Sequence, residues 1–298
     1  MKILVSDPMA PEGIKILKDA GFDVVEKTGL SPEELAKVIP EFDGIIVRSA
    51  TKVTREVIDA AKNLKVIGRA GIGLDNIDQA AAKSKGIKVL NTPRATSISV
   101  AELALGMMFA AARGIAQATF STKMGKWEKK KFKGFELFGK KLGIIGIGRI
   151  GTEVAKRAQT IGMEVIAYDP NVKTSEYAAL VDLDTLLKQS DYITLHIPKT
   201  EETEHILNKD AFDKMKDGVV IVNCARGGVV DEDALYDALK SGKVRIAGID
   251  VYEKEPAIEN RLFELDQVIL TPHIGAQTKE GQTRAGTQIA ELVRDALK

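Results

Sequence analysis

The feature that most restricts how this 298-residue chain can fold is an alternation of short apolar runs with helical patterns. In the first ninety residues the runs are KILV (2–5), DVV (23–25), GIIV (44–47), KVIG (65–68) and IKVL (87–90). From residue 142 a second series follows: LGIIG (142–146), EVIAY (164–168), YITLHI (192–197), VVIVN (219–223), IAGIDV (246–251) and VIL (268–270). Runs this short read as strands, and their flanks carry helix-start signals. The clearest is Ser31-Pro32-Glu33-Glu34, with an N-cap serine, proline at the first helical position and an acid three residues on. Strands apolar on both faces and joined by helices build parallel sheets covered on both sides. The fold class is therefore α/β, with two domains, each a doubly wound parallel sheet.

Between the two series lies SISVAELALGMMFAAARGIAQA (97–118), apolar on nearly every side. It predicts one buried helix at a domain or subunit interface. Another helical pattern, 277–297, closes the chain. A net charge of +1 argues against a nucleic-acid or membrane-surface protein. No apolar run is long enough to cross a membrane, and the first residues lack a signal-peptide core. The one cysteine, Cys224, has no partner for an internal disulfide and no metal-ligand spacing around it, which fits a reducing cytosol and no bound metal. The basic run KWEKKKFKG (126–134) reads as a solvated loop, or as a loop facing an anion or a partner subunit.

Gly146-Ile147-Gly148-Arg149-Ile150-Gly151 matches the G-x-G-x-x-G pattern, which is weak alone and strong in context. A strand precedes it, a helical segment (152–162) follows, and Asp169 ends the next strand 18 residues past the last glycine. The first glycine permits a tight turn and the second lets backbone approach a pyrophosphate. The third lets helix and strand pack closely. The acid accepts hydrogen bonds from a ribose diol and repels a 2′-phosphate, so Asp169-Pro170 with no nearby arginine favours NAD over NADP. Upstream, Gly71-Ile72-Gly73-Leu74 lacks the third glycine, and reads as an ordinary turn or as an anion-facing set of backbone N–H groups.

Ligands of open α/β sheets bind beyond the carboxyl ends of the strands. In the second series Arg226 follows the fourth strand, Glu255 comes just after the fifth, and His273 follows the sixth. A guanidinium holds a carboxylate by two parallel hydrogen bonds. An imidazole takes or returns the proton of an alcohol, and a neighbouring carboxylate fixes its tautomer and favours the imidazolium. Together these groups suit hydride transfer at a 2-hydroxy acid. His196 ends an apolar strand and reads as packing. His205, among acids in TEETEHIL, reads as exposed. Cys224 reads as a buried strand-end residue rather than a reactive thiol.

GRAGIGLDNID (68–78), NTP (91–93), the glycine loop, VNCARGGVVDE, GIDVYEKEP and LTPHIGAQT resemble the D-isomer-specific 2-hydroxyacid dehydrogenases, over essentially the whole chain. The resemblance implies a Rossmann-type NAD domain, residues 93–274, inserted in a flavodoxin-like substrate domain made of 1–92 and the closing helix 275–298. It implies Arg226 as the carboxylate clamp, Glu255 as the partner of His273, and His273 as the acid/base. It implies an NAD site lined by Arg149, Ile150, Asp169, Ile197, Cys224, Ala225, Asp250, Gly275 and Ala276, besides the glycines, with Ile72 reaching across from the other domain. Arg48, Ser49 and the Gly71 turn are the implied substrate contacts, a hinge closes the cleft, and a homodimer forms through the long helix region.

VRSATKVT (47–54) and GKWEKKKFKG (125–134) resemble the subgroup that oxidises 3-phospho-D-glycerate to 3-phosphohydroxypyruvate, the entry to serine synthesis. The rival expectations are a hydroxypyruvate or glyoxylate reductase, or a dehydrogenase of another D-2-hydroxy acid. A rival of a different class is an NAD-sensing corepressor-like scaffold on the same fold. Many members of that subgroup continue into a C-terminal domain that senses serine. These residues stop after the closing helix, so they read as a short form or a truncated chain without serine feedback.

Overall fold

The structure is a computed structural model that describes all of residues 1–298. In chain order the elements are β1 (Lys2–Val5), α1 (Pro11–Asp19), β2 (Asp23–Glu26), α2 (Pro32–Val38), β3 (Gly44–Val47), α3 (Arg55–Ala60), β4 (Val66–Arg69), α4 (Gln79–Ser84), β5 (Lys88–Asn91), α5 (Ser97–Arg113), α6 (Ile115–Lys123), β6 (Lys141–Ile145), α7 (Arg149–Thr160), β7 (Glu164–Tyr168), β8 (Ala179–Leu180), α8 (Leu183–Gln189), β9 (Tyr192–Leu195), α9 (Lys209–Lys214), β10 (Val219–Asn223), α10 (Glu232–Ser241), β11 (Val244–Ile249), β12 (Val268–Leu270) and α11 (Lys279–Leu297). They form two compact units, Met1–Ser97 with Ala276–Lys298, and Ile98–Gly275.

The first unit holds a parallel sheet in the order β2-β1-β3-β4-β5, the flavodoxin-like order. Its two faces carry separate apolar cores, one under α2, α3 and α4 and one under α1 and α11. The anticipated capping box starts α2: Ser31 Oγ accepts from Glu34 N at 3.2 Å while Ser31 N donates to the Glu34 carboxylate at 2.9 Å. The last helix belongs here because Ile289, Ala290, Val293 and Leu297 are buried on the sheet. Each of the larger ones contributes about 1.5–3 kcal/mol. A Cβ on Gly68 of β4 would lie 2.7 Å from Val293, so glycine there lets the helix seat. The units meet at 97/98 and 275/276, where the sequence reading places the breaks at 92/93 and 274/275. The first lies later because Thr92–Ala95 are tied into this unit: Thr92 N donates to Gly71 O at 2.9 Å, and Ala95 O accepts from Arg284 Nε at 2.9 Å.

In the second unit the parallel order is β12-β11-β10-β9-β6-β7-β8. Counted from β6 this is the Rossmann order 3-2-1-4-5-6 with one further strand, and the order reverses between β6 and β9. The sequence pattern shows six strands here and misses β8, whose two residues are too few for a period to register. The long apolar segment is also not one helix. It breaks at Gly114, which is left-handed at φ +59, into α5 and α6 with axes bent by 63°. Ala101, Ala104, Met107, Met108 and Ala111 of α5 are buried in this unit's core. No single helix is long and apolar enough to cross a membrane.

Candidate active site

Two of the three loop glycines are demanded by packing. Gly146 sits at φ +91, and a Cβ there would lie 2.7 Å from the His196 carbonyl oxygen. A Cβ on Gly151 would lie 2.1 Å from the Gly146 carbonyl oxygen, so α7 could not close onto β6. Gly148, the N-cap of α7, differs: a Cβ there would meet nothing within 4 Å. That open space lies at the N-terminus of a 12-residue helix, where unsatisfied N–H groups favour an anion. The residues present thus fit the pyrophosphate of a dinucleotide. Arg149 is exposed and Ile150 half-buried in the first turn of α7, with Ile197 half-buried beyond β9. Asp169 follows β7, and its two oxygens accept from Ile147 N (3.0 Å) and Asn171 N (2.9 Å). The carboxylate is thereby fixed beside the glycine loop, with lone pairs left for a ribose diol.

The neighbouring strands β10, β11 and β12 carry the second group. Glu255 Oε2 lies 2.8 Å from His273 Nδ1, and Glu255 Oε1 accepts from Tyr252 N at 3.1 Å. His273 is one of two non-glycine residues at positive φ, +53. A side chain held in that region costs on the order of 1 kcal/mol or more and needs support from its surroundings. Asp250, 1 % exposed, supplies it. Its carboxylate accepts from Thr271 Oγ1 (2.6 Å), Ile274 N (2.7 Å) and Gly275 N (2.9 Å). Its carbonyl accepts from His273 N at 2.9 Å. Asp250, expected along the cofactor, thus spends its carboxylate on the turn that presents His273.

Arg226 lies three residues beyond β10, half-buried, with Nη1 donating to Ala225 O at 2.7 Å. Asn223 ties this turn together: its amide donates to Arg226 O (3.0 Å), and its side-chain oxygen accepts from Ala225 N (3.0 Å). Gly227 lets the Arg226 loop pack on the Glu255 loop, since a Cβ there would lie 1.7 Å from Tyr252 O. Adjacent strands are about 4.8 Å apart, so the ends of β10 and β12 are separated by about 10 Å.

The roles of Asp250, Asn223 and Gly227 escaped the sequence reading. A polar residue ending an otherwise apolar run, and a Gly-Gly pair beside an arginine, were the available signals. Cys224 and Ala225 are buried, 6 % exposed each, and burial pushes the Cys224 thiol up, so it is inert. His196 offers Nε2 to Thr194 Oγ1 at 3.1 Å, and burial pushes its imidazole down to about 3, so it is neutral and takes no proton near pH 7.

The other expected residues belong to the first unit. Arg48 follows β3, its guanidinium donating to Pro8 O and the Gln277 side-chain oxygen, both at 3.3 Å. Ser49 beside it is exposed. Gly71 follows β4 at φ +151, and Ile72 O accepts from Asn91 Nδ2 at 2.7 Å. Ala276 opens the closing segment of this unit.

A glycine loop fitted to a pyrophosphate, an acid fixed beside it and an imidazole–carboxylate pair across the same sheet edge define a nucleotide-dependent dehydrogenase of the open α/β class. Comparison with known proteins makes this specific. Residues 105–275 match the model of the D-isomer specific 2-hydroxyacid dehydrogenase NAD binding domain. The chain is 56% identical over 296 residues to the hydroxypyruvate reductase of Thermotoga maritima, covering 98% of this chain and 97% of that protein. It is 54% identical over 303 residues to the D-3-phosphoglycerate dehydrogenase of Methanocaldococcus jannaschii, covering 100% of this chain but 58% of that protein. The chain therefore spans little more than half the length of the phosphoglycerate dehydrogenase. Among solved structures, the TT0316 protein of Thermus thermophilus superposes with a TM-score of 0.93 at 34% identity, covering 100% of this chain and 97% of that one. The chain belongs to the D-isomer specific 2-hydroxyacid dehydrogenases and is an NAD-dependent enzyme of that family.

Proposed function

We propose that this enzyme interconverts 3-phospho-D-glycerate and 3-phosphohydroxypyruvate with NAD, the activity of a phosphoglycerate dehydrogenase at the entry to serine synthesis. The observation that carries the reading is Arg48. Its guanidinium contacts two neutral oxygens and makes no ion pair, so it stays available to a phosphate. Ser49 and the Gly71 turn are taken as further substrate contacts. In this reading Arg226 binds the substrate carboxylate by two N–H groups and so orients the reacting carbon. Glu255 occupies Nδ1 of His273 and leaves Nε2 for the substrate hydroxyl. His273 then accepts the hydroxyl proton during oxidation and returns it during reduction. NAD, when bound, supplies the two-electron hydride acceptor.

A second reading, hydroxypyruvate reduction, is supported by the Thermotoga maritima relative, which this chain matches over nearly its full length. Initial rates separate the two. The first reading expects activity with 3-phospho-D-glycerate and NAD, and weak activity with D-glycerate. It also expects Arg48→Ala to lower kcat/KM for the phosphorylated substrate by roughly 10–100-fold and for hydroxypyruvate by little. Equal use of hydroxypyruvate and its phosphate by the parent enzyme, with no effect of Arg48→Ala, selects the second.

We also propose a homodimer through α5, α6 and the loop after them. This stretch of the second unit exposes Phe109 (42%), Ile115 (51%), Phe120 (70%), Met124 (62%) and Trp127 (87%). So much exposed apolar surface on one stretch marks an association face. Sedimentation should give twice the chain mass, and Phe120→Glu with Trp127→Glu should shift it to a monomer. A monomeric parent protein at micromolar concentration would refute the assignment.

A further inference from the structure

His205 has no part in the chemistry described above, and at φ +50 it is the other non-glycine residue in the left-handed region. Glycine would occupy that position without strain. The side chain that is kept there makes specific contacts. Nε2 lies 3.2 Å from Glu253 Oε1, and Nδ1 lies 3.9 Å from Asp231 Oδ2. The backbone N–H of His205 donates to Gly228 O at 2.8 Å, two residues past Arg226. Two residues on, Leu207 N donates to Val229 O, and Leu207 O accepts from Asp231 N.

Glu253 lies two residues before Glu255. It is cross-linked to the start of α10, since Glu253 N donates to Glu232 Oε1 at 2.7 Å and Glu253 Oε1 accepts from Glu232 N at 3.2 Å. One residue thus touches both loops that matter: its main chain hydrogen-bonds the Arg226 loop, and its ring lies against the Glu253 carboxylate of the Glu255 loop. The ring faces that carboxylate at ion-pair distance, and the pair is an ion pair when the ring is protonated.

We propose that His205 is a positioning residue that clips the Arg226 loop to the Glu255 loop and so sets the carboxylate clamp and the acid/base pair at a fixed separation. This rests on the roles assigned above to Arg226, Glu255 and His273. Misplacement of reacting groups by about 1 Å is enough to slow such a site.

The test uses the full chain and four readouts on His205→Gly. Removing the ring relieves the backbone, so the melting temperature is expected to stay level or rise. Turnover is expected to suffer: kcat/KM for the 2-oxo acid with NADH should fall about tenfold, through a lower kcat and a higher KM. Amide exchange in residues 251–256 should quicken. The double variant with Glu253→Ala should lose no more activity than Glu253→Ala alone, because the two side chains act through one bond. His205→Gln, which returns a donor at the same reach, should recover most of the activity, and it decides the matter if the glycine variant does not fold. Parental kcat/KM together with parental exchange in His205→Gly overturns the proposal. If the parent enzyme turns over none of the candidate acids, the functional reading has failed instead, and exchange in 251–256 alone judges the clip.

Discussion

Replacing His273 by alanine is expected to lower kcat by roughly 10²–10⁴ while the protein stays folded. The expectation follows from where the ring is held. Nδ1 is committed to Glu255 at 2.8 Å, so a single nitrogen remains to move a proton. No other imidazole substitutes: His196 is held neutral by burial, and His205 is engaged with Glu253. His273 also sits at φ +53, where alanine is strained, so His273→Asn is the cleaner partner variant. Asparagine tolerates the left-handed region but does not titrate near neutral pH. Both variants should lose turnover alike while still binding NADH, followed by its fluorescence. Near-parental kcat in the asparagine variant would remove His273 from proton transfer.

The second large effect concerns Arg226. In the proposed role, Arg226→Lys keeps the charge and loses the planar fork, so one of two parallel hydrogen bonds to the substrate carboxylate should disappear and the other lose its direction. Charge-assisted bonds of this kind contribute about 1.5–3 kcal/mol each. A loss of about 2–4 kcal/mol corresponds to a fall of roughly 30- to 1000-fold in kcat/KM. The turn around it is braced by Asn223, whose contacts go to main-chain atoms of Ala225 and Arg226, so the lysine variant should keep its melting temperature. An unchanged kcat and KM would show that the carboxylate is held elsewhere.

Much of the arrangement was legible in the order of residues because the underlying rules are local. Strands of a covered parallel sheet are largely apolar, and eleven short apolar runs mark eleven of the twelve strands. The glycine spacing is a steric statement about one turn, and the packing at Gly146 and Gly151 obeys it. The positions of Arg226, Glu255 and His273 after successive strands placed them on one edge, because parallel strands all end on the same side. The Glu255–His273 pair is where that argument meets a measured distance.

Other features leave no periodic pattern in the sequence. That α5 and α6 are two helices follows from one left-handed glycine inside an apolar stretch, a choice periodicity does not report. The resemblance implies Asp250 as a cofactor contact, and the structure adds three bonds of its carboxylate that reach across more than 20 residues to the turn at 271–275. The clip between His205 and Glu253 spans 48 positions. The sequence by itself determined eleven of the strands, the nucleotide loop and the places of Arg226, Glu255 and His273 after successive strands, since each follows from local patterns. The tertiary structure alone decided which buried carboxylate braces the turn of the imidazole and which loops lie against each other, because those contacts exist only once strand order brings their partners together.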